Sequence, residues 1–305
     1  MAGTTIAASA TGARDEHRIW RDVREFARAP SALVGLAVLV VVVVVAVAAP
    51  WIAPQNPYDL AQLDVMDSRL PPGSASADGS TTYWLGTDDQ GRDMLSGLMY
   101  GLRISLVVGV LSALIAGVIG SALGIFAAYA GGRTESLIMR LVDLQLSFPA
   151  ILVALMFLAF VGKGIGNVML ALVVVEWARY ARTARSAALV ERRREYIEAA
   201  ECLALPPLRV VFGHLMPNCL PPIIVISTVQ IARAITLEAT LSFLGLGVPT
   251  TEPSLGLLIA NGYQYLLSGK YWISFYPGIA LLLTIAAINL IGDQLRDVLN
   301  PRLKT

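Results

Sequence analysis

The sequence predicts an all-α protein built into a membrane. Three observations carry that reading. Of 305 residues, 56% are hydrophobic and 15% are charged, whereas soluble domains carry about 25% charged residues. Mean hydropathy is +0.65. Apolar runs recur at the length an α-helix needs to cross a hydrocarbon core about 30 Å thick, roughly 20 residues. Backbone groups in lipid must pair within their own segment, so six such runs imply six helices. A net charge of +1, with no Lys/Arg-rich tract, argues against a nucleic-acid partner.

The elements follow in order. Residues 1–32 form a polar N-terminal tail, and Leu33 to Ile52 is the first span. Ala46-Val47-Ala48 resembles a leader cleavage site, but the run before it exceeds a signal-peptide core of about 7–15 residues, which favours a retained span. Residues 53–103 form a loop whose stretch from Pro71 to Ser80 is flexible by composition. An amphipathic stretch from Met94 to Arg103 leads into the second span, Ile104 to Ala130. There Gly109, Ala113, Gly117 and Ser121 make a stripe of small residues that lets another helix approach closely. The third span runs from about Leu137 to Val161 and the fourth from Ile165 past Trp177. The glycine-rich turn between them lacks the GxxxxGK[ST] order of a phosphate loop. The fifth span is roughly Cys219 to Leu244, the sixth Ile273 to Ile291, and 293–305 form a C-terminal tail.

Orientation follows from Lys and Arg. With the N-terminus inside, seventeen of the 23 fall on the inner side and five on the outer, with Arg233 inside a span. That bias places both termini and residues 179–217 in the cytoplasm. Cys202 and Cys219 are not spaced as a metal or redox pair and read as two free thiols. No His, Cys, Asp or Glu grouping suggests a metal, and no Ser/His/Asp set or nucleotide motif suggests catalysis, so no cofactor is expected. Asp88, Asp89, Arg92 and Asp93 in the outer loop read as internal salt bridging.

The segment 191–217 is unusual for a linker. Glu191, Glu195 and Glu198 alternate with arginines at helical spacing. Leu205-Pro206-Pro207 stops the helix, and a second amphipathic turn runs from Leu208 to Leu215. Linkers without a role are usually short, so this helix–break–helix reads as a knob that a soluble partner grips.

Glu198-Ala199-Ala200, the helix break and Met216-Pro217-Asn218 resemble the EAA loop of type I ATP-binding cassette (ABC) importer permeases. So do Leu85-Gly86-Thr87-Asp88-Asp89-Gln90-Gly91-Arg92-Asp93, Tyr100 to Ser105, Phe148-Pro149, Leu241 to Gly247 and Gly292 to Arg302. Together they resemble the second permease subunit of the dipeptide/oligopeptide/nickel group over residues 30 to 303. The family usually has glycine where this chain has Ala204, and Leu-Pro where it has Met216-Pro217.

The resemblance implies the six-helix fold of those permeases, with residues 104–292 as the five-helix core, in a bacterial inner membrane. It implies no catalysis in this chain and four protein partners: two ABC ATPase subunits, a second homologous permease and an extracytoplasmic solute-binding protein. The cargo it implies is di- and oligopeptides, with nickel, glutathione or opines as the alternatives within the group. A stand-alone secondary transporter is the rival class, but no internal inverted repeat is visible. Tyr196, Glu198, Ala199, Ala200 and Ala204 would dock the ATPase. Charges inside spans are costly and face cavities or partners, which singles out Arg233 and Glu238 as pathway candidates. Glu238 reads better as an interhelical bond. Arg233 either opposes a peptide carboxylate or pairs with Glu238, Glu176 or Asp143. The loop Leu255 to Tyr271 is an expected contact for the binding protein, and Tyr271, Trp272, Phe275 and Tyr276 an interfacial belt.

Overall fold

A computed structural model describes residues 24–59, 63–249 and 251–299. The outermost arginines of both tails, counted in the charge bias, lie outside the described residues. A short helical turn at 24–28 leads into α1, Pro30–Ile52. A loop with two short strands follows, and then α2, Met94–Ala130, which at 37 residues is the longest helix among the described residues. Next come α3, Gly132–Ser147, α4, Ala150–Val161, and α5, Ile165–Glu191. The segment after α5 holds α6, Glu195–Cys202, and α7, Pro207–Val210. A π-helical turn, Val211–Leu215, joins α7 to α8, Met216–Phe243. Helices α9, Leu255–Tyr263, and α10, Trp272–Leu299, complete the chain.

Among the described residues, four stretches are long and apolar enough to cross a membrane: α1, α2, the run 207–243 and α10. The α3–α4 pair is a fifth if its two halves count as one span. The expected straight helix from Leu137 to Val161 is not observed. The chain bends by 92° at Phe148-Pro149, where proline lacks the N–H that would continue the ladder. Helix α5 is long enough but carries Glu176, Arg179, Arg182 and Arg185 and is not among the apolar five. Of those charges only Glu176 is fully buried, Arg179 and Arg185 are partly covered and Arg182 is exposed. Helix α5 packs along α2 more extensively than any other pair of helices packs, and also contacts α8.

Small residues make that α2–α5 contact. A methyl on Gly120 would collide with the Trp177 carbonyl, and one on Gly124 with the Ala181 carbonyl. The expected stripe is only part of this seam: Gly109 faces Ile235 of α8, and Gly117 meets the Tyr180 ring. The closest approach therefore lies one residue row away from the stripe, at Gly120 and Gly124. On the other side of the bundle, Gly35 of α1 rests on Ala287 and Leu290 of α10.

Helix α2 starts ten residues before the expected span. The Asp93 carboxylate caps it, accepting from the Ser96 N–H at 2.8 Å and the Ser96 hydroxyl at 2.6 Å. Gly97 and Gly101 then let its first turns pack on Leu255 and Leu258 of α9. The expected outer loop from Leu255 is therefore a helix with Leu255, Leu257 and Leu258 buried, and only its far end, with Tyr263 and Leu267, stays exposed. Trp272 leaves the expected belt as well. It is buried, and its Nε1 donates to the Thr87 carbonyl at 3.2 Å.

The Pro71 to Ser80 stretch is ordered rather than loose. Strands β1, Ser74–Ala75, and β2, Thr82–Tyr83, pair antiparallel. Asp67 holds them, accepting from the Ala77 N–H at 2.8 Å and the Tyr83 hydroxyl at 2.9 Å. Asp78 folds the turn by accepting from Ser76 and Ser80. The side chains that order this hairpin lie partly outside it, which composition does not register.

Gly120→Ala and Gly124→Ala are each expected to destabilise the protein by about 1–3 kcal/mol through overpacking. Gly278→Ala, where the space is open, should leave stability nearly unchanged. Thermal melting of the detergent-purified protein separates the two cases.

Candidate functional site

The segment 191–217 is two-sided. Helix α5 ends at Glu191, and the chain turns through residues 192–194 before α6 begins. The expected helix through Glu191 and Glu195 is thus broken at the three arginines. Glu195 and Glu198 lie in the first turn of α6, where negative charge complements the helix dipole. Ile197 and Ala200 are buried beneath α6, in one apolar cluster with Ile125, Ala128, Ala188, Val210 and Leu215. The opposite side is open. Glu198, Ala199, Glu201 and Cys202 are exposed there, and Leu203, Leu208 and Phe212 show 74%, 72% and 63% of their surface. Three large apolar side chains are thus left open beside one short helix. Of the five expected docking residues, Glu198, Ala199 and Ala204 are open and Ala200 is buried under the helix. Tyr196 is turned back, its hydroxyl donating to Glu191 at 2.7 Å.

Ala204 ends α6 in the left-handed conformation, with φ +50. Its N–H donates to the Glu201 carbonyl and the Leu205 N–H to the Ala200 carbonyl. That pair of bonds is a Schellman cap, which normally carries glycine at this position. An L-residue there costs about 1–2 kcal/mol. The turn geometry therefore survives the alanine, with strain in place of a glycine. Pro207 starts α7 at its first position, where a missing N–H is harmless.

Deeper in the bundle two buried carboxylates bind helices together. Glu238 accepts from Ser105 of α2 and Ser242 of α8, each at 2.8 Å. It is an interhelical tie with no exposed surface. Glu176 of α5 accepts from Arg179 at 2.9 Å and from the side-chain amide of Gln230 of α8. An intramembrane carboxylate was the sequence signal for Glu176; Gln230, being uncharged, gave none. Asp143 pairs with Arg182 at 2.6 Å. The hydrogen bonds of all three expected partners thus go to other groups. Arg233 is exposed and makes no hydrogen bond or close ion pair among the described residues, but its charge still acts on Glu176.

Residues 120–305, more than half of the chain, match the family described as binding-protein-dependent transport system inner membrane component. The chain belongs to that family. Residues 18–72 of this permease match the N-terminal transmembrane domain of oligopeptide transport permease C. It is 42% identical over 279 residues to the dipeptide transport system permease protein DppC of Escherichia coli strain K12, covering 92% of this chain and 91% of that one. It is 38% identical over 281 residues, with the same coverage, to the di/tripeptide transport system permease protein DppC of Pseudomonas aeruginosa strain UCBPP-PA14. An inward-facing structure of the MetNI methionine ABC transporter superposes with a TM-score of 0.57 at 20% identity, covering 68% of this chain and 98% of that one. At that identity the likeness concerns the fold alone.

The signature Gly86 to Asp93 is a buried turn over the end of the bundle. Arg92 is almost fully buried. The Asp88 carboxylate accepts from the N–H groups of Gln90 at 2.8 Å and Arg92 at 2.9 Å. Asp93 serves as the α2 cap described above. The expected salt-bridge cluster is in large part a set of carboxylates bonded to backbone. Burial lifts the Asp88 carboxyl to about 6, helped by the nearby Asp89 and opposed by the Gln90 and Arg92 N–H groups and the Arg92 charge.

A carboxyl raised in the folded state favours folding while protonated, and that contribution is lost as pH climbs through its folded value. The Asp88 contribution is expected to fade between about pH 4 and pH 6 and stay flat above. Asp78, lowered to about 2 by its serine bonds, acts only below that window. Melting temperatures of wild type and Asp88→Asn across pH 4.5 to 7.5 should converge at the acid end, the wild type losing ground as pH rises. Parallel curves would exclude this role.

Proposed function

We propose that this chain is the second permease subunit of an ABC importer that moves di- and oligopeptides across the bacterial inner membrane. The names of its relatives favour peptide cargo. The observation that carries the coupling role is α6 itself: seated on Ile197 and Ala200, open on Glu198 and Ala199, and flanked by exposed Leu203, Leu208 and Phe212. A surface of that chemistry suits the groove of a soluble subunit. Two ATPases, a second homologous permease and an extracytoplasmic binding protein complete the assembly. ATP-driven closure of the ATPases carries α6 with it and tilts the helices on which it rests.

In this reading six segments cross the bilayer, with α3–α4 as a broken third span and α5 as a charged fourth. Both termini and the segment 191–217 face the cytoplasm. The arginine bias supports that orientation. Arg233 faces the pathway side. A charge at mid-span costs about 2.5–3.5 kcal/mol on insertion scales, so an exposed arginine that acts on Glu176 without a close ion pair favours a water-filled path over lipid. There its guanidinium opposes the carboxylate of a passing peptide.

One experiment tests docking and orientation together. In membrane vesicles an impermeant maleimide should label the exposed Cys202 only from the cytoplasmic side, and bound ATPase should shield it. Glu198→Lys should leave the chain in the membrane yet cut ATP-driven dipeptide uptake about tenfold or more, the scale of a lost interface hot spot. Labelling from the outer face, or unchanged uptake by Glu198→Lys, would sink the reading. Arg233→Ala is expected to reorder the uptake rates of a peptide panel without loss of assembly; an unaltered ranking counts against the pathway role.

A further inference from the structure

The segment 191–217 is continuous in sequence with α5 on one side and α8 on the other. Its polar tie to α2, which ends more than sixty residues earlier, is made among the described residues by one side chain. The Arg192 guanidinium donates from Nη1 to the Ala128 carbonyl at 2.8 Å. It also lies over the Tyr129 ring, 5.5 Å from the centroid. Arg192 itself is the residue that ends α5, its backbone N–H returning to the Ala188 carbonyl. Arg193 and Arg194 beside it are exposed, and Arg194 reaches only Glu191, at 3.8 Å.

The chemistry of this contact is directional. The last four carbonyls of a helix have no intrahelical donor, and the C-terminal end of the helix dipole favours a cation. Ala128 is one of the last four residues of α2. Among the described residues, the Arg192–Ala128 bond is the polar contact between residues 192–217 and α2. The remaining contact is apolar, through Ile125 and Ala128, and apolar burial has no preferred direction. A charge-assisted bond does.

Helix α2 reaches the other side of the bundle. At 37 residues it is about 55 Å long, given a rise of 1.5 Å per residue. Its outer end is the Asp93 cap within the buried Gly86 to Asp93 turn. We propose that Arg192 is a positioning residue for energy coupling: it fastens the ATPase-driven segment to the inner end of α2, so that α2 moves with α6 and carries that movement to the outer face. The inference rests on the coupling role of α6 proposed above.

The test uses the complete importer, with both permeases, both ATPases and the binding protein, reconstituted in vesicles with a dipeptide. The wild type must first show ATP-dependent uptake; without it the proposed function fails, not this inference. The readout is peptide taken up per ATP hydrolysed. Arg192→Ala should assemble and hydrolyse ATP but lower that ratio about tenfold, the scale of an ordinary coupling free energy. Arg192→Lys, which keeps a cationic donor, should restore most of it. An unchanged ratio in Arg192→Ala overturns the proposal, as does a parallel fall in uptake and hydrolysis, which marks a merely structural role. If Arg192→Ala does not assemble, Tyr129→Leu decides. It removes the ring face under the guanidinium, and a lowered ratio supports the proposal while a wild-type ratio overturns it.

Discussion

A carboxylate in the interior of a membrane bundle must be held by other side chains, and the rest of this structure is arranged around that requirement. A buried charge without a matched partner costs several kcal/mol. Glu238 meets the requirement with two serine hydroxyls from α2 and α8, and Glu176 with Arg179 and Gln230 from α5 and α8. Each tie draws separate helices to a fixed register. Closeness then becomes possible only where small residues allow it, and Gly120 and Gly124 supply that along α2 and α5. The polar ties select which helices meet, and the glycines set how near they come.

The same logic separates the two faces of the segment 191–217. Its inner face is apolar and closed, with Ile197, Ala200, Val210 and Leu215 in one cluster with α2 and α5. Its outer face leaves Leu203, Leu208 and Phe212 in the open. A helix of eight residues is too short to hold its shape alone, so packing below and the Schellman cap at Ala204 hold it. Rigidity matters for the lever proposed above: a frayed helix would absorb a push rather than pass it on. The strain at Ala204 is the local cost of keeping that cap without glycine.

Much of the site could be read from residue order. The helix break at Leu205-Pro206-Pro207, the open Glu198-Ala199 pair and the tie at Glu238 stand where the sequence put them. The misses have a common cause. The bend at Phe148-Pro149, the buried start of α9 and the buried Trp272 depend on what lies across the fold. A run such as Leu255 to Leu258 looks the same in a surface loop as in a wedge between helices. The hairpin at Ser74 to Tyr83 is set by Asp67, outside the strands themselves. Composition over that stretch cannot register a distant partner.

The sequence by itself determined the medium, the approximate helices and the family, because hydropathy, turn residues and motif spacing are properties of neighbouring positions. Only the tertiary structure decided which charge met which partner. Arg233 had three candidate carboxylates in the sequence, and folding gave the hydrogen bonds of all three to other groups: Glu238 to serines, Glu176 to Arg179 and Gln230, Asp143 to Arg182, with Arg233 acting on Glu176 only through its charge. Arg192, one of three adjacent arginines, alone reached the end of α2. Such pairings depend on distances between segments far apart in the chain, and a list of residues contains no distances.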